Sequence, residues 1–291
     1  MHTILDDTLD RWIRETAPAG DLTCHTLALN EQVGAATFTA REETVICGSE
    51  EVARVFEKCG ARARIHRASG QKALPGDILV TAHGPVDALH IAWKVSINVL
   101  EYASGIATRT SRLIAAASQG SGKVRIAATC KTFPGTRELS AKAVLAGGGM
   151  LHRLGLSETI LVFDHHAAFF PSFEELVLAV PEWKSRACER KVIVEAATLA
   201  HAEALVTAGV DGIQFDKLPS PELTRCVQRL RTARPDLLII AAGGVNETNA
   251  AELAATGVDV LATSAVYFGK PADIGASILP KSENGNSQDG E

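Results

Sequence analysis

The stretch KVIVEAATLAHAEALVTAGVDGIQFDKLPSPELTRCVQRLRTARPDLLIIAAGGVNETNAAELAATGVDVLATS, residues 191–264, decides the fold. Short runs of Val, Ile and Leu alternate in it with longer amphipathic segments. KVIVEA, DGIQFD, DLLIIAAGG and VDVLATS read as strands; TLAHAEALVTAG, PELTRCVQRLRTA and NETNAAELAATG read as helices. Strands alternating with helices imply parallel βαβ units, because a parallel strand is reached only through a crossover. Two segments echo each other: LVTAGVDGIQFD (205–216) and LAATGVDVLATS (253–264) share a helix end, a Gly stop, Val-Asp and a strand. They stand two βα units apart, which an α/β barrel produces. An open doubly wound sheet is the competitor, weakened because no GxGxxG follows the first strand.

The same alternation extends upstream. KVRIAAT (123–129) and ETILVFD (158–164) read as strands; RELSAKAVLAGGG (137–149) and SFEELVLAV (172–180) read as helices, the glycines at 147–149 being a helix stop. The first hundred residues mix elements differently. DDTLDRWIRET (6–16) and EVARVFEKCG (51–60) are helical, VGAATFTA (33–40) is a strand, and LPGDILVTAHG (74–84) is a turn and a strand. From 85 to 117 the pattern is helical, with an interruption expected at Gly105. Residues 1–108 thus form one expected domain, joined by a return segment at about 268–281; residues 109–267 form the barrel; 282–291 is a polar tail expected to be disordered.

The chain has 291 residues, 46% of them hydrophobic and 22% charged, enough for a sizeable core and more than one domain. Its net charge of −5 argues against a general nucleic-acid binder. No apolar run is long enough to cross a bilayer, and MHTILDDTLDRWIRET lacks the basic start and apolar stretch of a signal peptide. A cytoplasmic protein is expected, with its six scattered cysteines as thiols.

In a barrel, chemistry sits at the C-terminal ends of the strands. There the sequence presents Cys130 and Lys131, Asp164-His165-His166, Glu195, Asp216, Gly243-Gly244 and Ser264. One cation with two carboxylates suits a diphosphate carrying Mg²⁺, which takes few protein carboxylates and keeps waters and phosphate oxygens. Gly243-Gly244, read as preceding a helix, offers free N–H groups for a phosphate. Each residue alone has a plainer reading: a strand-end acid is often a helix cap, and a Gly pair is usually a turn. Adjacent histidines on a strand point to opposite faces, which argues against a transition-metal site. Their joint placement on one rim favours function.

Longer motifs add a resemblance. ATCKTFPGTRELSAKAVLAGGGMLHRLGLSETILVFDHH (128–166) resembles the core of the quinolinate phosphoribosyltransferase family, which typically reads TRKT-PG-R, then GGG-NHRLGL, then a strand ending K-D-N-H. SINVLEYASGIATRT, GDLTCHTLAL, LPGDILVTAHGPV and AAGGV resemble its other motifs in order, over nearly the whole chain. Within the family the chain most resembles the molybdenum-utilisation, or ModD, branch. The resemblance implies an N-terminal α/β sandwich and an incomplete, open α/β barrel. It implies a cytoplasmic pentosyltransferase binding phosphoribosyl pyrophosphate, Mg²⁺ and a small heteroaromatic acceptor. It implies a homodimer, or higher oligomer, with shared active sites. It gives Lys131, Glu195 and Asp216 to the donor, the two carboxylates as Mg²⁺ ligands. Gly243, Gly244 and Ser264 fall to the 5-phosphate, and His152 and Arg153 to the acceptor.

The departures from the family pattern cluster on the acceptor side. Cys130 stands where the family has Arg, Phe163 where it has Lys, and Lys94 where an Arg reaches in from the partner. SSGG becomes Ala241-Ala242-Gly243-Gly244. Two charged donors fewer predict an acceptor other than quinolinate. The alternatives are the decarboxylating quinolinate enzyme of NAD biosynthesis, and a non-catalytic binder linked to molybdate uptake.

Overall fold

The computed structural model describes residues 3–280. The expected polar tail lies outside them. The described residues divide into two compact units: 3–108 with 138–147 and 269–280, and 109–137 with 148–268.

The first unit is built on a four-stranded antiparallel sheet of order β13-β1-β5-β3, from β1 (Val33–Ala40), β3 (Arg62–Ile65), β5 (Ile78–Pro85) and β13 (Ile274–Pro280). β1 alternates buried and partly exposed residues, with Ala36, Phe38 and Ala40 inward, the period of a strand with one face on a core. Phe38 meets Phe56 of α3 (Ser49–Cys59) edge to face at 5.9 Å. α3 stops at Gly60, whose φ of +99° is the left-handed conformation that glycine adopts without penalty. Helices α1 (Asp6–Thr16) and α2 (Leu22–Thr26) precede the sheet, the latter capped by the Asp21 carboxylate. A small ladder pairs β2 (Thr44–Val45) with β4 (Lys72–Ala73). α4 (Val86–Ser118) runs on into the second unit, and α5 (Arg137–Ala146) belongs mostly to the first.

α4 is continuous through Gly105, where an interruption was expected. Ala103, Ile106 and Ala107 around it are fully buried, and that packing outweighs the roughly 1 kcal/mol helix penalty of a glycine.

The second unit is a seven-stranded, all-parallel sheet of order β7-β6-β12-β11-β10-β9-β8, curled into a half-barrel whose edges β7 and β8 do not pair. The strands are β6 (Arg125–Ala128), β7 (Met150–Leu151), β8 (Ile160–Val162), β9 (Val192–Glu195), β10 (Gly212–Asp216), β11 (Leu238–Ala242) and β12 (Val260–Thr263). Ala127, Ile193, Ile240, Val260 and Ala262 fill the interior. The helices of the unit are α6 (Asp164–Ala167), α7 (Phe173–Arg186), α8 (Leu199–Ala208), α9 (Ser220–Ala233) and α10 (Ala250–Ala255). α7 runs past Val180, the expected end of this helix, through Pro181 to an Arg186–Glu182 ion pair one turn on.

The internal echo has a structural cause. Asp211 accepts from the Val192 N–H at 2.8 Å and pairs with Lys184 at 2.6 Å. Asp259 accepts from the Ile239 N–H at 2.7 Å and pairs with Arg231 at 2.5 Å. Each Val-Asp staples the start of its strand to the neighbouring strand.

Candidate active site

Strand register sets the rim. Gln214 pairs with Glu195, Asp216 with Ala242, Thr263 with Ala128, and Ala128 with Leu151. Each rim residue singled out in the second unit follows at or just past a strand end. Cys130 and Lys131 come after β6, His152 and Arg153 after β7, Phe163 after β8, Glu195 and Asp216 at the last positions of β9 and β10, Gly243-Gly244 after β11, and Ser264 after β12. Lys94 lies on α4 in the first unit, exposed, its ammonium 5.6 Å from the Trp93 ring.

Glu195 is half-buried. Burial pushes its carboxyl up; the Gln214 amide, donating to it at 2.9 Å, opposes this. Asp216 and Asp164 add to the rise, and the Lys131 ammonium works against it. A carboxylate that feels two other acids and one lysine has the electrostatics of a site for a cation. The described residues contain no group of three or more His, Cys, Asp or Glu able to hold a metal unaided. Two carboxylates suit Mg²⁺ that keeps phosphate oxygens and waters as its other ligands.

Gly243 and Gly244 are both left-handed, at φ +81° and +75°. A Cβ on Gly243 would collide with the Asp216 carboxylate and the Lys217 side chain, so glycine here lets the loop close against Asp216. The helix expected directly after the pair begins only at Ala250. Asn246 and Asn249 donate their side-chain amides to the Gly244 carbonyl in the intervening turn. Any phosphate held by this loop therefore meets loop N–H groups, without help from the dipole of α10. Lys217, passed over in the sequence, lines a cavity of about 360 Å³ with Gly243, Gly244 and Asn249. Its own φ is +55°, uncommon for a residue with a side chain. Position directly after a strand-end aspartate was the signal for it.

On the other side of the rim, the backbone N–H of His152 donates to the Ala128 carbonyl, while its ring Nε2 is buried without a protein partner. Burial pulls this imidazole down, Arg153 adds to the fall, and Gln214 opposes it. Cys130 is a half-buried thiol. His165 and His166 lie on the single turn of α6, not on a strand as the alternation argument assumed. Both pack edge-on against Phe163, with centroids 5.5 and 4.4 Å away, and fix its ring. Arg137 lies over the next loop, its guanidinium 3.3 Å from where a Gly155 side chain would begin. Gln214 and Arg137 were not among the predicted rim residues.

Residues 106–275 match the quinolinate phosphoribosyl transferase C-terminal domain, and residues 21–104 match its N-terminal domain. The chain belongs to the quinolinate phosphoribosyltransferase family, a family of pentosyltransferases. It is 39% identical over 255 residues to the Rhodobacter capsulatus protein named "Putative pyrophosphorylase ModD", covering 87% of this chain and 97% of that one. It is 32% identical over 278 residues to the nicotinate-nucleotide pyrophosphorylase [carboxylating] of Mycobacterium leprae, covering 94% and 96%. The crystal structure of the nicotinate-nucleotide pyrophosphorylase of Ehrlichia chaffeensis superposes with a TM-score of 0.86 at 26% identity, covering 96% of this chain and all of that one. Among the described residues no helix is long and apolar enough to cross a membrane.

Proposed function

We propose that this protein transfers ribose 5-phosphate from phosphoribosyl pyrophosphate to a ring nitrogen of a heteroaromatic acceptor less anionic than quinolinate. The carrying observation is the pair of acids at neighbouring strand ends, Glu195 and Asp216, with Lys131 within electrostatic reach of Glu195. The bond that breaks joins ribose C1 to the diphosphate oxygen; the bond that forms joins C1 to the ring nitrogen. Lys131 neutralises the departing diphosphate. Glu195 and Asp216 hold the ribose hydroxyls and are the residues that would bind Mg²⁺, which supplies further neutralisation of the diphosphate. Gly243, Gly244 and Ser264 cradle the 5-phosphate. Catalysis is then positioning and electrostatics. The site is completed in a homodimer by Lys94 of a second copy; mixed dimers of Lys131→Ala and Lys94→Ala subunits should regain activity that neither variant has alone.

The acceptor side supports the narrower reading. Cys130 and Phe163 bring no charge, and Phe163 offers a fixed ring for stacking. A hydrogen bond to a charged group is worth roughly 1.5–3 kcal/mol, so two missing cations weaken a dicarboxylate by about two to four decades. Of the two basic residues best placed in sequence to compensate, Lys142 is 3% exposed and engaged by Glu50 and Glu51. Arg137 stays at the rim and favours the quinolinate alternative. The deciding experiment is pyrophosphate release from phosphoribosyl pyrophosphate across a panel of pyridine and azole carboxylates, on the wild type and on Cys130→Arg with Phe163→Lys. A wild-type kcat/KM for quinolinate in the ordinary enzyme range, not raised by the double change, restores the quinolinate reaction.

A further inference from the structure

The three segments that the proposed reading gives to the two ends of the phosphoribosyl donor are far apart in sequence. Lys131 follows β6, Gly243-Gly244 follows β11 and Ser264 follows β12. Hydrogen bonds join them. β12 ends at Thr263, and a single 3₁₀ turn, Ala265–Tyr267, follows Ser264. The Tyr267 N–H closes that turn on the Ser264 carbonyl at 3.1 Å. The turn carries the Tyr267 side chain inward, 7% exposed. A phenol so buried carries a desolvation cost unless its O–H is bonded, and it donates to the Thr129 carbonyl at 2.8 Å. Thr129 is the first residue past β6. Its N–H donates to the Thr263 carbonyl at 2.8 Å, and its Oγ1 accepts from the Lys131 N–H at 3.3 Å. Thr263, 5% exposed, extends the network to the glycine loop: its Oγ1 donates to the Val245 carbonyl at 2.7 Å and accepts from the Ala265 N–H at 3.0 Å. Lys131 and the Phe133-Pro134-Gly135 stretch beyond it are exposed, so packing does little to place the lysine and these bonds decide where it stands.

We propose that Tyr267 is a positioning residue for phosphoribosyl transfer. Its backbone N–H holds Ser264, at the 5-phosphate, and its phenol holds the Thr129 turn that presents Lys131, at the diphosphate. The inference rests on reading the rim as a phosphoribosyl-transfer site. The 5-phosphate and the diphosphate sit at opposite ends of one ribose, so the spacing between their loops must match the donor. A misplacement of about 1 Å costs up to about a hundredfold in rate. Tyr267 sets that spacing without touching the substrate, by acting on Lys131 through Thr129. Loss of the phenol O–H frees the lysine turn and leaves the Ser264 turn closed by its backbone.

The test uses the whole protein with Tyr267→Phe, alone and combined with Lys131→Ala. Calorimetry measures affinity for magnesium phosphoribosyl pyrophosphate, which engages both loops, and for ribose 5-phosphate, which engages the cradle alone. Tyr267→Phe should lose about three- to tenfold in affinity for phosphoribosyl pyrophosphate, the net worth of one neutral hydrogen bond, with ribose 5-phosphate unchanged. In the Lys131→Ala background the same substitution should cost nothing further, because the group it positions is gone. A tyrosine of purely structural value would weaken both ligands alike, or add its loss to that of Lys131→Ala; either result overturns the proposal, as does unchanged affinity for phosphoribosyl pyrophosphate in Tyr267→Phe. If Tyr267→Phe does not fold, Thr129→Val cuts the next link toward Lys131 and should give the same split between the two ligands, with Thr129→Ser restoring wild-type affinity. Wild-type affinities in Thr129→Val overturn the proposal. A wild type that binds neither ligand removes the transferase reading and this inference with it, whereas a wild type that binds both and is indifferent to Tyr267→Phe overturns the inference alone.

Discussion

Two clusters in this chain each set one lysine among carboxylates, Glu50 and Glu51 in one and Glu195, Asp216 and Asp164 in the other, and they stand in opposite states. In the first unit, Lys142 donates to Glu50 at 2.9 Å and to Glu51 at 2.5 Å, with Lys142 and Glu51 only 3% and 2% exposed. Burial pushes Glu50 up, but the Ser69 hydroxyl, the Lys142 ammonium and the Ser69 N–H outweigh it and hold the carboxyl at about 2. In the second unit, Glu195 is pushed up by burial with Asp216 and Asp164, and Lys131 opposes this only from a distance. The first cluster satisfies its own charges and is structural. The second leaves excess negative charge at an open rim, the condition for binding a cation-bearing ligand. Composition alone does not separate site from scaffold; the state of satisfaction does.

Breaking the satisfied cluster should cost most. Lys142→Met leaves the buried Glu51 and the part-buried Glu50 without their counter-ion, and urea denaturation should show a loss of about 3–5 kcal/mol. An unchanged midpoint would mean that Glu50 and Glu51 find solvent in the variant. The rim should respond the other way. Glu195→Gln and Asp216→Asn should lower Mg²⁺-dependent affinity for phosphoribosyl pyrophosphate by about ten- to a hundredfold in calorimetry. Their melting temperatures should hold or rise, because each removes one of several like charges. Unchanged affinity in both variants would take these residues out of the site.

A pH titration sharpens the contrast. Glu50 is depressed in the folded state, so its contribution is present above the unfolded value near 4.5 and is lost as pH falls toward about 2. Discounted for its partial exposure, that contribution is about 2 kcal/mol. The Glu50→Gln variant should therefore show a flatter stability curve between pH 4.5 and about 2. A wild type and variant with parallel curves would remove the effect. Smallest is Gly243→Ala, which forces a side chain into a left-handed residue beside Asp216. It should cost about 1–2 kcal/mol of stability together with donor affinity; a loss of stability with no loss of affinity would detach the loop from phosphate binding.

The strands and helices of residues 191–264 were legible because their apolar runs, helix stops and lengths agree. Several features were not. Gly105 and Pro181 are local breakers overridden by packing around α4 and within α7. β3, RARI, carries charges on a weakly buried strand and shows little apolar alternation. β7 is only two residues long and follows the glycine stop of α5. At the rim, residue types at strand ends were readable, since the βα alternation dictates where chains emerge. Gln214 was hidden because it looks like any residue inside a strand until register sets it beside Glu195. Lys142 was in sequence a candidate compensating cation for the acceptor, and burial places it instead with Glu50 and Glu51.

The pairing of β13 with β1, from Gly34–Pro280 through Ala40–Ile274, has a consequence for synthesis. β1 leaves the ribosome early, yet one of its two neighbours is encoded near residue 280. Until that segment emerges, β1 presents an unpaired edge through translation of the whole half-barrel, and open edges invite pairing with other chains. The half-barrel has no such wait, because all seven of its strands lie between its first and last residues. Order of completion on the ribosome thus runs against order of synthesis: the unit that holds β1 is finished after the half-barrel that follows it.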